Sequence, residues 1–120
     1  MEQINEVVRK GLDLRSYDLA FGAEPGLFVG REGPLWYRGW LEENGYPKET
    51  PDQIRRTLDH FGARKVVVGH TGVEQVGYLQ DSLVIGIDVP VEDLGCLQGL
   101  LIENSEFYRV LGSGQKELLE

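Results

Sequence analysis

One helix with signals at both of its ends leads directly into an apolar strand, and this unit constrains the fold more than any other part of the sequence. Thr50 is a good N-cap, Pro51 occupies the first helical position, and Gln53 completes a capping-box pattern. Gly62 is a suitable C-terminal stop. The β-branched run that follows predicts a strand at residues 65–69, so we expect an α/β connection here.

The same helix has one apolar face, which identifies the side that should be buried. Ile54, Leu58 and Phe61 recur at helical spacing. We therefore expect these three side chains to pack against the sheet that contains residues 66–68.

The rest of the chain is helix-rich before this unit and strand-rich after it. Apolar spacing predicts a short helix at residues 2–12, an irregular ordered loop at 13–33 and a short helical turn at 34–45. Two hairpins are predicted beyond it, and the polar tail from residue 112 is expected to fray. The hairpins join residues 75–79 to 83–88 and residues 97–103 to 106–111. This order favours an α+β fold, with two to three helices followed by a mixed or antiparallel sheet, over a doubly wound parallel one.

Composition excludes several classes of function. The 120 residues are enough for one domain or a piece of one, and no apolar run reaches the length of a membrane helix. The net charge is −8, with 20 acidic and 12 basic residues, so neither nucleic acid nor an anionic membrane is an expected partner. The acidic N-terminus and the single Cys96 favour a cytoplasmic location.

His70 is the first candidate for chemistry. It follows the apolar run and Gly69, and we expect it in the loop beyond the strand. The carboxyl end of a strand is where α/β folds place ligand groups, and a neutral imidazole is a common metal ligand. Gly69 would allow a close backbone approach, and Thr71 could form a hydrogen bond in the loop. A polar residue that merely ends a strand is the competing interpretation.

Arg38 is the second candidate. Pro34 and the neighbouring aromatic residues Trp36 and Tyr37 could hold its guanidinium in one direction, and that fork matches two phosphate oxygens. The alternative is a short helix with buried aromatic side chains and a solvated arginine. Arg31, in a glycine-flanked turn, is a weaker candidate of the same kind.

Three further residues have simpler explanations. Asp88 could orient a site group, but an aspartate that ends a strand before Val89 and Pro90 is the simpler interpretation. His60 lies near a helix C-terminus, where a cation meets the helix dipole favourably, and we interpret it as structural. Cys96 has no basic neighbour to lower the pKa of its thiol, so we do not expect a nucleophile.

Four stretches together resemble the calcineurin-like metallophosphoesterases of the phosphoprotein-phosphatase type, most closely their Shewanella-like branch. MEQINEVV at residues 1–8 resembles the helix that follows the HGG motif of that family, and GPLWYR at 33–38 resembles its arginine-bearing segment. KVVVGHT at 65–71 matches its GH motif. SLVIGIDV at 82–89, with GLLI at 99–102, resembles its closing hairpins.

This resemblance implies a function and a role for two residues. The family hydrolyses phosphate monoesters of phosphoproteins or small molecules with two divalent metal ions, such as Mn, Fe or Zn. By position, His70 would be a metal ligand and Arg38 a phosphate-binding residue, and no residue of this chain would be a catalytic acid or base. The implied fold is the C-terminal half of a four-layer α/β sandwich.

The departures from the family pattern are as informative as the matches. The motifs GDxHG, GDxxDRG, GNHE and HGG do not occur in the sequence. Residues 1–120 are therefore expected to be the C-terminal part of a metallophosphoesterase domain, inactive alone because one histidine cannot hold two metal ions. Such a piece should need the missing N-terminal half or should self-associate. The alternative is a non-catalytic half-domain that acts as an interaction or complementation module.

Overall fold

The computed structural model describes residues 47–120 and, before them, Asn5, Glu6, Arg9, Asp13, Gly33 and residues 37–41. The chain divides into two units after Tyr37. In the first unit, the four described residues between 5 and 13 are helical and exposed. The remainder of the helix predicted at 2–12 and the loop predicted at 13–33 lie outside the described residues, apart from Asp13 and Gly33.

The best-specified helix forms as predicted, over Pro51–Phe61 (α1). The Thr50 hydroxyl accepts a 3.3 Å hydrogen bond from the Gln53 N–H, and the Gln53 side chain accepts a 2.8 Å bond from the Thr50 N–H. Gly62 ends the helix at φ +61°, a left-handed conformation that favours glycine. Both ends of α1 are therefore fixed by local interactions.

The buried face of α1 holds two of the three predicted side chains. Ile54 and Leu58 form a core with Val84, against which Trp40 and Leu41 also pack. The prediction for Phe61 is wrong, because its side chain is 59% exposed. Phe61 is the last residue of the helix, and the chain leaves the helix at once through Gly62, so the core does not extend beneath it.

The strands form two small sheets rather than one, and the expected α+β class is confirmed. The first sheet has the order β1-β3-β2, with β1 parallel and β2 antiparallel to β3. The second sheet is antiparallel, with the order β4-β5-β6. A four-residue helix, α2 (Val91–Leu94), lies between them in sequence. The strands are β1 (Val66–Gly72), β2 (Gly77–Leu79), β3 (Val84–Asp88), β4 (Gln98–Glu103), β5 (Glu106–Leu111) and β6 (Lys116–Leu118).

Both predicted hairpins are confirmed. The β4–β5 turn is Asn104-Ser105, with φ of +50° and +67°. A two-residue turn whose twist matches that of the strands requires a positive φ at both positions. The β2–β3 turn places Gln80, Asp81 and Ser82 at φ of +53°, +54° and +62°. Left-handed residues other than glycine cost conformational energy, so this second turn depends on its contacts with the rest of the fold.

The expectation that the tail frays is wrong for residues 116–118. They form β6 and pair with β5. Glu117 forms a 3.0 Å ion pair with Arg109, and Lys116 forms one with Glu103. The first pair joins the neighbouring strands β5 and β6, and the second joins the outer strands β4 and β6 across β5. Such partners are far apart in the sequence and meet only in the folded sheet. In the part of the chain that the structure describes, no helix is long and apolar enough to cross a membrane.

Candidate functional site

His70 lies inside β1, at an irregularity in the strand, and not in the loop beyond it as expected. Val68 stands opposite Gly86 of β3, and Gly72 stands opposite Asp88. Between these pairs β1 has three residues, of which His70 is the central one, whereas β3 has only Ile87. Extra residues in one strand of a pair form a bulge, which re-aims the side chain it carries.

The backbone of His70 is in the left-handed region, at φ +64°, and its side chain is exposed. Histidine adopts this conformation more readily than most residues, but it still costs of order 1–3 kcal/mol. Such a conformation persists only where the surrounding structure fixes it, and such positions cluster at functional sites. The bulge is therefore the strongest local indication that His70 has a role.

The chain that follows the bulge is held by β3. The Val73 N–H donates a 2.9 Å hydrogen bond to the Asp88 carbonyl. Val73 also lies over Gly86, where a Cβ would meet its Cγ1 at 2.7 Å. By contrast, a Cβ at Gly69 would be 3.9 Å from Ile87, an ordinary contact. Among the described residues, the close approach that we expected at Gly69 occurs at Gly86.

Val76 is fixed from the second sheet. It is fully buried, and its N–H donates a 3.0 Å hydrogen bond to Oε1 of Gln98. Its carbonyl accepts a 2.8 Å bond from Nε of Arg109. The segment from Val73 to Val76 is thus tied at one end to β3 and at the other to β4 and β5. The roles of Val73, Val76 and Gly86 were not predicted from the sequence. Gly86 did carry one signal, because a glycine inside an apolar strand indicates a close approach of another group.

Arg38 lies at the start of a half-buried turn segment, residues 38–41. Hydrogen bonds fix the two residues that follow it. The Gly39 carbonyl accepts a 2.9 Å bond from the Glu49 N–H, and the Trp40 carbonyl accepts a 3.0 Å bond from Gln80. Gln80 belongs to the β2–β3 turn, which lies near the amino end of β1, because the Val66 N–H donates to the Leu83 carbonyl.

The segment that carries Arg38 is therefore attached near the amino end of β1, whereas His70 lies toward its carboxyl end. At about 3.3 Å per residue, His70 lies up to about 13 Å along β1 from Val66.

Asp88 does lie at the same end of the sheet as His70. It is exposed, it ends β3 and it pairs with Gly72, which is two residues after His70. The parallel arrangement of β1 and β3 brings both residues to the carboxyl edge of the sheet. Two polar residues at this end of the sheet could bind or orient a ligand.

The remaining candidates lie elsewhere. His60 is exposed in the last turn of α1, with its ring 4.9 Å from that of Phe61. Its interpretation as a structural histidine stays a prediction. Cys96 is exposed, and its sulfur is 3.5 Å from Nε2 of Gln98. Arg31 is outside the described residues. Burial, with a contribution from Arg64, lowers the pKa of Lys65, whose Nζ lies 4.5 Å from the centre of the Tyr78 ring.

Candidate metal ligands were compared in the part of the chain that the structure describes. Over residues 47–120 and the few described before them, no group of three or more His, Cys, Asp or Glu side chains converges. A dinuclear centre needs several such ligands. Within these residues, His70 could at most be one ligand of a larger set.

Three solved structures are similar to this chain. One is a cold-active protein-tyrosine phosphatase of the psychrophile Shewanella sp., at 30% sequence identity and a TM-score of 0.76, with 99% of this chain and 35% of that chain covered. A second structure of a cold-active protein tyrosine phosphatase gives the same identity and TM-score, with 34% of its chain covered. A mutant of such an enzyme gives a TM-score of 0.70, at 30% identity.

The chain thus spans about a third of the length of the solved phosphatases that it matches. No protein-family model matches the sequence, and no curated protein does.

Proposed function

We propose that this chain is the C-terminal part of a two-metal phosphatase of the calcineurin-like, Shewanella-like type, and that it contributes one metal ligand to the active site. The observation that carries the proposal is the similarity to solved phosphatases over 99% of this chain, at 30% identity. That similarity supports a phosphatase-related function. The coverage of only 35% of the Shewanella enzyme supports a partial domain.

In this proposal His70 is the metal ligand. Its left-handed backbone in a bulge at the carboxyl edge of the sheet supports the assignment, because such an arrangement directs one imidazole away from the strand. The metal pair, when bound, would activate water and neutralise phosphoryl oxygens. The other ligands would come from chain that is not part of these 120 residues.

Arg38 is proposed to bind the phosphate, as the resemblance of residues 33–38 implies. A guanidinium can make two parallel hydrogen bonds to a phosphoryl group, which a lysine cannot. The tie between Trp40 and Gln80 fixes the segment that carries Arg38 against the first sheet. The substrate class is a phosphorylated protein or a small phosphate ester, and the expected metals are Mn, Fe or Zn.

The proposal predicts that the isolated chain does not hydrolyse p-nitrophenyl phosphate with any of these metals. Co-expression with the segment of the Shewanella phosphatase that this chain does not cover should produce a complex on gel filtration. That complex should hydrolyse the ester in a metal-dependent way. In it, His70→Asn should lower both metal content and turnover.

His60→Asn is the matched control, because His60 is the other histidine of the chain and lies at the end of α1. It should leave metal content and turnover unchanged. Robust turnover by the unaided chain would contradict the partial-domain proposal. A complex in which His70→Asn keeps full metal content and full rate would remove His70 from the site.

An interaction or complementation module remains the second candidate. Apolar side chains are exposed on both sheets, among them Val67 at 43% and Ile102 at 55%. Exposed apolar surface of this kind marks association sites. If the complex with the Shewanella segment forms but stays inactive with every metal, this second function is favoured.

A further inference from the structure

Gly86 is in a position that no other residue could occupy without a change in its surroundings. It is buried in β3, the central strand of the first sheet. A Cβ there would lie 2.7 Å from Cγ1 and 3.4 Å from Cγ2 of Val73, and 3.1 Å from Cδ1 of Leu79. Leu79 could yield through its flexible side chain. Contacts under 3.0 Å force a shift, so Val73 would have to move.

Val73 has little freedom to yield. Both of its γ carbons face Gly86, and a valine side chain is stiff about its only side-chain torsion. The Val73 backbone is also fixed, because its N–H donates to the Asp88 carbonyl. A residue larger than glycine at position 86 would therefore either change the Val73 rotamer or displace the backbone at Val73.

Displacement of Val73 would act on the bulge, because only Thr71 and Gly72 separate Val73 from His70. The bulge is fixed on its other side by the pairing of Val68 with Gly86 itself. One glycine thus supports both ends of the bulge, by pairing with the residue before it and by making room for the residue after it. These two anchors lie on either side of His70, whose φ of +64° is in the left-handed region.

We propose that Gly86 is a positioning residue for His70, acting through Val73. The absence of a side chain at position 86 allows Val73 to pack onto β3, and this contact sets the direction of the His70 side chain. The role of His70 as a metal ligand rests on the proposed function above, whereas the mechanical link between Gly86 and His70 does not.

A set of four variants of the full 120-residue chain tests the link. Gly86→Ala introduces the clash, Val73→Ala removes the side chain that would be struck, and the double variant combines the two. Gly99→Ala is the matched control, because Gly99 is also in a strand and a Cβ there meets no atom of the described residues within 4 Å. The readout is the His70 amide resonance and its HN–Hα coupling, which reports φ, in ¹⁵N-labelled protein. The labelled chain is measured alone and, where it self-associates, in its complex with the Shewanella segment.

Gly86→Ala should move the His70 resonance and change its coupling. The double variant should move both back toward the wild-type values, because the added methyl group at position 86 then fills the space left by the shortened side chain at position 73. Gly99→Ala should leave them unchanged. If the Gly86→Ala chain is unfolded by circular dichroism, Val73→Ala alone decides, since loss of its anchor should also change the His70 coupling. Wild-type His70 signals in both single variants would overturn the proposal.

The role in metal binding is measured separately, in the complex with the Shewanella segment. There Gly86→Ala should weaken Mn²⁺ binding by about 10–100-fold, as for other residues that orient a ligand, and the double variant should recover it. If His70→Asn has no effect on metal while Gly86→Ala still shifts the His70 resonance, the proposed function fails and the positioning link stands.

Discussion

The Nε of Arg109 donates a 2.8 Å hydrogen bond to the carbonyl oxygen of Val76, a residue that is fully buried. The same guanidinium is held by Glu117 at 3.0 Å. An arginine on the second sheet therefore supplies the partner for a buried backbone group that follows the first strand. This contact connects β6, through Glu117, to the segment after His70.

Replacement of Arg109 by Met should lower the free energy of unfolding by about 1–3 kcal/mol, the usual cost of a buried polar group left without its partner. The buried carbonyl of Val76 would lose its donor, while the aliphatic part of the side chain would be kept. Urea denaturation measures the change. Arg64→Met, at an exposed position before β1, is the control and should be nearly neutral. Equal stability of the two variants would contradict the importance of the contact.

Leu58 and Phe61 lie one turn apart on α1 and should respond differently to truncation. Leu58 is 7% exposed and belongs to the core, so Leu58→Ala should cost about 2–5 kcal/mol. Phe61→Ala, at an exposed site, should cost less than about 1 kcal/mol. Thermal and urea unfolding of both variants test this. A large loss for Phe61→Ala would mean that Phe61 contributes to a packed surface.

The contacts of Tyr108 and Lys116 in the second sheet should contribute less to the stability of the protein at alkaline pH. A hydrogen bond to Glu106 raises the pKa of Tyr108 above its ordinary 10.0, and one to Glu103 raises the pKa of Lys116 above 10.5. A raised pKa in the folded state means that the contribution is present below the ordinary value. It is then lost as pH rises through the folded value.

The Glu103→Gln/Glu106→Gln double variant should show a smaller loss of stability above pH 10, because it lacks both carboxylates that cause the shifts. The lowered pKa of Lys65 acts in the opposite direction, but it does so equally in both proteins. Urea midpoints at pH 8 and at pH values above 10.5, the higher of the two ordinary values, measure the difference. Parallel pH profiles would contradict the assignment.

In the complex with the Shewanella segment, Arg38→Ala should leave the metal bound and lower kcat/KM on the order of a hundredfold, if its guanidinium meets charge that develops in the transition state. Arg38→Lys should recover activity only partly, since an ammonium group cannot make the paired contacts. Arg56→Ala, on the exposed part of α1, is the control. Full rescue by lysine would argue for a simple point charge.

The isolated chain should self-associate in sedimentation experiments at micromolar concentrations. In the described part of the chain β1 pairs with β3 alone, and Val67 on β1 is exposed. Exposed edges and apolar side chains favour pairing with another chain. Val67→Lys should reduce association, whereas Val91→Lys, at 44% exposure on α2, should not. A compact monomer that melts cooperatively would favour an independent domain.

The features that could be predicted from sequence were those set by neighbouring residues. The capping box at Thr50, the C-cap at Gly62 and the turn at Asn104 depend on interactions within a few positions, and all three formed. Phe61 could not be placed in this way, because its burial depends on how far the core extends beneath the helix. The pairing of β6 depended on Arg109 and Glu117, whose contact exists only in the folded sheet.

The same distinction applies to the candidate site. His70 was identifiable because a glycine and a histidine follow an apolar run. Its left-handed backbone could not be predicted, because the bulge is defined only by the pairing of β1 with β3. Gly86 carried a visible signal as a glycine in an apolar strand. Its partner Val73 could not be predicted, because Val73 lies in the connection between β1 and β2 and meets Gly86 only in the folded sheet.

The parallel pairing of β1 with β3 has a consequence for the order of folding. Hairpin β2–β3 closes locally, whereas Val66 meets Val84 only after the intervening chain has folded back. Closing a longer loop costs more entropy, and parallel partners cannot be joined by a tight turn. We expect the hairpin to form first and β1 to dock onto it afterwards. The segment that carries His70 would then acquire its shape late, on a template that is already complete.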